Sequence, residues 1–213
     1  MSDPVADFYR DRVPAQYNAT LAAQRAAALA DSGAKTLLEE MEAVRASIVV
    51  EVGDETFAYD VERGVMTGVE APTRPPFLVL RHAREDFAAL RADCGDSLLG
   101  FLGALAGLGD EMKITAQRVR SLRELGGGIR LVREGECDDG FVLEAWFGVG
   151  PDPAVSSSGL PAPAATLRLD AATYARLREG DLDPQDAFLA GSIPIEGDEG
   201  LAIGLALAAM SPE

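Results

Sequence analysis

Matching spacings in the two halves of the sequence indicate an internal repeat, and such a repeat narrows the possible folds more than the composition does. Leu90 aligns with Leu177 at an offset of 87 residues. Aromatic positions align at the same offset, Phe87 with Tyr174 and Phe101 with Phe188. In both stretches, alternating apolar and polar residues precede apolar residues at helical spacing, which gives the order β-β-β-α-α-β-α. The repeat therefore predicts two diverged copies of one α+β unit.

Glycines at 126–128 mark the boundary between the copies, because three consecutive glycines cannot extend a helix. Late in each copy the alternation predicts a short strand, at 111–115 and at 192–196. The predicted domains are a helical leader at 1–45, a first copy at 46–125 and a second copy at 129–213. The pattern leaves open whether the leader packs on the body or mediates self-association.

The charge balance excludes one class of partner. The 213 residues include 19 Lys and Arg against 35 Asp and Glu, a net charge of −16. A nucleic-acid binder gains much of its affinity by neutralising phosphates with cations, so this composition argues against nucleic acid. The longest apolar stretches, 98–108 and 201–210, are shorter than the roughly 20 residues of a membrane span. The start of the chain has no secretory signal pattern, which favours a cytoplasmic protein.

Residues suited to catalysis or metal binding are few. The chain has two cysteines, Cys94 and Cys137, and one histidine, His82. No metal-ligand spacing surrounds either cysteine, and His82 has no Ser, Cys or Asp nearby at an informative spacing. The sequence therefore predicts no catalytic residue, no metal and no cofactor, and a protein that is not an enzyme. His82 is interpreted as a surface or capping histidine.

The second copy resembles the sterol carrier protein 2 (SCP-2) family, most clearly over residues 166–210. The resemblance lies in a strand, a short helix, a Gly turn, a Pro-led helix, a second strand, a Gly-Asp turn and an apolar helix. The matching residues are Leu177, Gly180, Leu182, Pro184, Ala187, Phe188, Gly191, Ile193, Ile195, Gly197, Asp198 and Leu201. The resemblance implies a mostly antiparallel sheet. One face of that sheet and the covering helices would enclose an apolar tunnel for fatty acids, fatty acyl-CoA or sterols.

Two departures from the family pattern bear on the ligand. The family often has Lys after its Gly turns, but Gly180 is followed by Asp181 and Gly191 by Ser192. Acyl-CoA carries several phosphate charges, and an acidic protein without those lysines is a poor partner for it. A free fatty acid or a sterol-like lipid is therefore favoured.

The predicted site is an apolar lining between the sheet and the C-terminal helix. Such a site needs apolar surface that faces a space its own side chains do not fill. The helix at 201–210 is apolar nearly all round, and Trp146 lies on the strand face opposite the lining. The predicted lipid-binding residues are Phe141, Leu143, Phe147, Leu167, Leu169, Phe188, Ile193, Leu201, Leu205 and Met210. The alternative is a protein-interaction or scaffold module with the same fold and a filled core.

Overall fold

The chain opens with a helical segment that packs on the rest of the protein. The computed structural model describes residues 3–105, 112–135, 140–148, 159–183, 186–187 and 190–210. The segment comprises α1 (Pro4–Asp7), a π-helical turn (Phe8–Arg12), α2 (Val13–Ala27) and α3 (Ser32–Glu42). Asp31 is the N-cap residue of α3. Its backbone is extended, and its carboxylate accepts from the backbone N–H groups of Gly33 and Ala34. Phe8, Tyr9 and Val13 belong to the main core, so this segment packs on the body.

The remaining elements form one eight-stranded sheet with helices. The strands are β1 (Arg45–Val52), β2 (Glu55–Glu62), β3 (Val65–Val69), β4 (Pro76–His82), β5 (Gly127–Glu134), β6 (Phe141–Phe147), β7 (Ala165–Asp170) and β8 (Ile195–Gly197). The helices are α4 (Phe87–Cys94), α5 (Leu98–Leu105), α6 (Ala116–Leu125), α7 (Ala171–Glu179) and α8 (Glu199–Met210). The strand order is β3-β2-β1-β4-β6-β5-β7-β8. Both predicted copies therefore contribute to a single sheet.

Most neighbouring strands are antiparallel, which confirms the predicted α+β class. The parallel pairs are β1 with β4 and β5 with β7. A pairing pattern also recurs, since β1 lies between antiparallel β2 and parallel β4, while β5 lies between antiparallel β6 and parallel β7. This recurrence is what two copies of one unit would produce. The internal duplication and the domain boundaries of 1–45, 46–125 and 129–213 stay predictions.

The strand predicted at 111–115 is wrong over its described part, because residues 112–115 form no strand. In the second half, β8 pairs with β7 along the edge away from β5. The corresponding edge of β4 is already paired with β6, so no edge is left there for a late strand of the first half. The strand predicted at 192–196 is shorter than expected and spans Ile195–Gly197.

Strand β3 lies at an edge of the sheet and was not predicted from the sequence. The Asn18 side chain of α2 contacts this edge at Met66 through two hydrogen bonds. Its amide donates to the Met66 carbonyl at 3.0 Å, and its carbonyl oxygen accepts from the Met66 N–H at 2.9 Å. An unpaired strand edge is a template for association with another chain. Asn18 thus satisfies part of the edge that would otherwise be open.

Replacing Asn18 with Asp should lower the free energy of unfolding by about 1 kcal/mol, because the partly buried Met66 carbonyl loses its hydrogen-bond donor. Asp keeps the acceptor for the Met66 N–H but places a carboxylate against the Met66 carbonyl. Urea denaturation of the variant and the parent measures the difference. Ala19→Ser, at the exposed next position, is the matched control. Equal stability of Asn18→Asp and the parent would show that the side-chain bonds contribute nothing.

Candidate functional site

The predicted lining residues that belong to β6 lie on the helix-covered face of the sheet. Phe141, Leu143 and Phe147 alternate along β6 and point to that face because strand side chains repeat every two residues. Leu167 is half-buried and packs against the same apolar cluster. The described lining residues that are buried in this cluster are Phe141, Leu143, Phe147, Leu169, Ile193, Leu201 and Leu205. The structure therefore brings residues of β6, β7, the segment before β8, and α8 into one apolar cluster.

Two predicted lining residues cannot be placed fully. Phe188 lies outside the described residues, as do the side chain of Met210 and most of the Pro-led helix that the resemblance implies at 184–190. Of that helix, residues 186–187 are helical, and Ala187 is buried in the same cluster. The assignment of these ten residues as a lipid site stays a prediction.

Helix α8 closes one side of the apolar cluster, and two glycines bring it close to its neighbours. At its start, the Asp198 carboxylate accepts from the Leu201 N–H at 3.0 Å, which satisfies a backbone donor of the first turn. A Cβ added to Gly127 of β5 would lie 3.2 Å from Leu201 Cδ2. A Cβ added to Gly204 would overlap Leu125 of α6. The missing side chains thus allow α8 to lie directly on β5 and α6.

The outward face of α8 is exposed and apolar. Ile203 is 40% exposed and Leu207 is 55% exposed, whereas Leu205 between them is 2% exposed. Within the described residues, the core covers one side of this apolar helix and leaves the other side exposed. The helix presents Leu201 and Leu205 to the core and Ile203 and Leu207 to the surface.

Polar groups beside the lining show no reactive arrangement. The Cys94 thiol lies 3.1 Å from the Tyr174 hydroxyl, and burial raises the pKa of this thiol to about 11. The thiol is therefore protonated at neutral pH and a poor nucleophile. The Arg133 guanidinium is buried, forms an ion pair with Asp93 and lies 5.4 Å from the centre of the Phe141 ring. Within the described ranges, no group of His, Cys, Asp and Glu side chains is arranged to hold a metal ion.

The opposite face of the sheet carries a charged network that the sequence analysis missed. Arg81 Nε donates to Glu51 at 2.8 Å, and Arg130 Nε donates to Glu144 at 2.7 Å. An Arg81 nitrogen also lies 3.7 Å from Glu144, so the four charges run across β1, β4, β6 and β5. Trp146 packs beside them with its ring centre 4.6 Å from the Arg81 guanidinium. Alternation places these charges on one face, but only the strand order shows that they are neighbours.

His82 is not a surface residue, which corrects the sequence-based interpretation. The side chain is 3% exposed and its ring lies next to those of Tyr9 and Phe87. Its Nδ1–H donates to the Ala83 carbonyl at 2.7 Å, and Nε2 accepts from the Tyr9 hydroxyl at 2.6 Å. Burial is the largest influence and lowers the pKa of His82, although the Ala83 bond and the Asp86 carboxylate oppose it. The neutral imidazole therefore connects β4 to the N-terminal segment.

Acidification should destabilise the protein through His82. Because its pKa is lower in the folded state, the unfolded chain binds the proton more readily, and stability falls as the pH drops below the unfolded value of about 6.5. We expect the urea midpoint to fall between about pH 7.5 and about pH 5.5. His82→Gln cannot titrate and should show a flatter profile over this window. The same dependence in both proteins would assign it to other groups.

The segment that contains β6, β7, α7, β8 and most of α8 matches a known family. Residues 137–208 match the model of the SCP-2 sterol transfer family. This confirms the resemblance, and the match begins upstream of the residues in which it was first recognised. The SCP-2 match supports a role in lipid binding or transfer in general.

Among solved structures, the chain is similar to "Sterol Carrier Protein 2 from Yarrowia Lipolytica (apo form)". The identity is 20% and the TM-score 0.30, and the match covers 52% of this chain and 90% of that chain. No curated protein matches. In the part of the chain that the structure describes, no helix is long and apolar enough to cross a bilayer.

Proposed function

We propose that this protein binds and transfers an apolar lipid, either a fatty acid or a sterol-like molecule, between the sheet and α8. The observation that carries the proposal is the apolar face formed by β6, β7 and α8 within the segment that matches the SCP-2 family. Removal of apolar ligand surface from water would drive binding, at about 25 cal/mol per Å². Binding would be reversible, without a catalytic residue, a metal or a cofactor.

The charge of the protein supports a ligand with a small headgroup. The net charge of −16 repels the phosphates of acyl-CoA, and Asp181 stands where the family often has Lys after the Gly turn. A fatty acid brings at most one negative charge, and a sterol brings none. We therefore expect the protein to prefer a fatty acid to its CoA ester, and a cytoplasmic setting would suit such a carrier.

Two measurements test the proposal. Lipid that co-purifies with the protein should be detected by mass spectrometry after denaturation and extraction. A fluorescent fatty acid should then bind the delipidated protein saturably, and oleate should displace it at lower concentration than oleoyl-CoA does. Absence of co-purifying lipid together with absence of saturable binding would refute the proposal.

A protein-interaction module is the second candidate, and the exposed Ile203 and Leu207 of α8 favour it. Exposed apolar residues on one helix face are suited to contact with a partner, including a second copy of the chain through this face or the N-terminal helices. In that case the core is filled, lipid does not bind, and Ile203→Asp changes the apparent mass in solution. Analytical ultracentrifugation of parent and variant separates this candidate from the lipid carrier.

A further inference from the structure

We propose that the first half of the molecule contains a second apolar site of the same kind, which Phe8 and Tyr9 of the chain's own N-terminal segment occupy. This inference rests on the proposed function of the second half. It starts from the recurring strand pairing, in which β1, β2 and β4 correspond to β5, β6 and β7. The first half should therefore offer an apolar face at the equivalent place, unless something fills it.

Residues at equivalent positions allow a direct comparison of the two halves. Phe57 of β2 pairs with Val50 and Leu143 of β6 pairs with Leu131, so the register makes Phe57 equivalent to Leu143, and Phe87 of α4 corresponds to Tyr174 of α7. In the second half, the Tyr174 ring contacts Phe141 of the same strand face edge to face, with ring centres 5.8 Å apart. This contact joins the strand to the covering helix without an inserted side chain.

In the first half, Tyr9 lies between the strand residue Phe57 and the helix residue Phe87. It stacks on Phe57 with ring centres 5.1 Å apart and lies 5.9 Å from Phe87. Phe8 contacts Phe87 edge to face with ring centres 5.2 Å apart and stacks on Phe101 of α5 at 5.8 Å. The N-terminal segment thus contributes two aromatic side chains to a space that the sheet, α4 and α5 enclose.

Both inserted side chains are fully buried, with Phe8 1% and Tyr9 0% exposed. They belong to the π-helical turn, whose i→i+5 bonding is wider than an α-helix, and such turns occur frequently at functional sites. By contrast, Asp11 of the same turn is exposed. The turn therefore directs two consecutive aromatic residues inward while its other side faces solvent.

Polar contacts hold the inserted segment in place. The Tyr9 hydroxyl donates to His82 Nε2 at 2.6 Å, and the Tyr59 hydroxyl donates to the Tyr9 carbonyl at 2.7 Å. At the start of α1, Asp3 forms an ion pair with Arg84, which follows β4. These bonds are specific to one position of the segment, as expected for an internal occupant with a defined pose.

The test removes the inserted side chains and counts bound lipid. The double variant Phe8→Ala/Tyr9→Ala should bind one more equivalent of a fluorescent fatty acid than its parent does. Asp11→Ala, at the exposed position of the same turn, is the matched control and should bind as many equivalents as the parent. Circular dichroism and size-exclusion chromatography establish that each variant is folded.

The same titration in a Leu205→Trp background separates the two halves, because this substitution is expected to block the second-half site. An additional equivalent of lipid bound in this background supports the first-half site. If the parent binds no lipid at all, only the function proposed for the second half is refuted. Folded double variants with no additional equivalent in either background overturn the inference.

A milder variant decides the question if the double variant does not fold. Phe8→Ala alone leaves both hydrogen bonds of Tyr9 in place and vacates the space beside Phe87 and Phe101. This folded variant should bind one additional equivalent of decanoate, whose chain is short enough for a smaller space. Failure to bind it would then overturn the inference.

Discussion

Replacing Gly128 with Val should lower the free energy of unfolding by about 3–5 kcal/mol, comparable to the loss of a large buried aromatic side chain. A Cβ on Gly128 would overlap the indole nitrogen of Trp146 and lie 2.5 Å from its Cδ1. Trp146 is buried, and its indole N–H donates to the Pro161 carbonyl at 2.9 Å. A branched side chain at 128 would therefore displace the ring, break this bond and separate Trp146 from Arg81.

Fluorescence measures this effect directly because Trp146 is the single tryptophan of the chain. Gly128→Val should lower the urea midpoint and shift the emission of the folded protein to longer wavelength as the indole becomes hydrated. Gly68→Ala on β3 is the matched control, since an added Cβ there meets no atom within 4 Å. If Gly128→Val kept both the midpoint and the emission maximum of the parent, the close packing of β5 against Trp146 would be refuted.

The alternation of residues along β6 correctly predicted which side chains share a face. Phe141, Leu143 and Phe147 lie on the helix-covered side, and Trp146 lies on the other. This was predictable because side-chain direction in a strand depends only on local backbone geometry. Helices with a strong apolar pattern were also located, because their apolar spacing is a local property of the sequence. Helix α8 begins at Glu199, before the predicted start at 201.

Features that depend on strand order were not predictable from local pattern. The sequence order of the strands does not reveal that β4 pairs with β6, and this pairing accounts for both the absent strand at 112–115 and the Arg81–Glu144 contact. His82 was misread for a related reason. Alternation with Leu78 and Leu80 along β4 does place His82 on the core face, but its partner Tyr9 is 73 residues away, so no local spacing indicates that contact.

The candidate site was only partly accessible from the sequence. The resemblance and the apolar periodicity indicated the second half, and the described lining residues do lie in one cluster. The insertion of Phe8 and Tyr9 into the first half had no such signal, because Phe and Tyr near a chain start are equally compatible with a surface helix. Their role follows from contacts with Phe57 and Phe87 that only the folded chain brings together.

Replacing Leu205 with Trp should reduce the affinity for a fatty acid by more than about tenfold, equivalent to about 1.4 kcal/mol of binding free energy. Leu205 is 2% exposed and points from α8 toward the proposed lipid position. An indole is much larger than the leucine side chain and would take the space of the alkyl chain. Titration of the delipidated variant with a fluorescent fatty acid measures the loss.

The matched control is Ile203→Trp, which places the same side chain two residues away on the exposed face of α8. It should bind like the parent, because added bulk on the exposed face does not enter the cluster. Overpacking at Leu205 also lowers the free energy of unfolding, typically by about 1–3 kcal/mol. Both variants are therefore compared without urea, at a temperature where each is folded. A folded Leu205→Trp protein with the affinity of the parent would place the lipid elsewhere. Equal losses in both variants would instead point to a contact made by the whole helix rather than by its buried face.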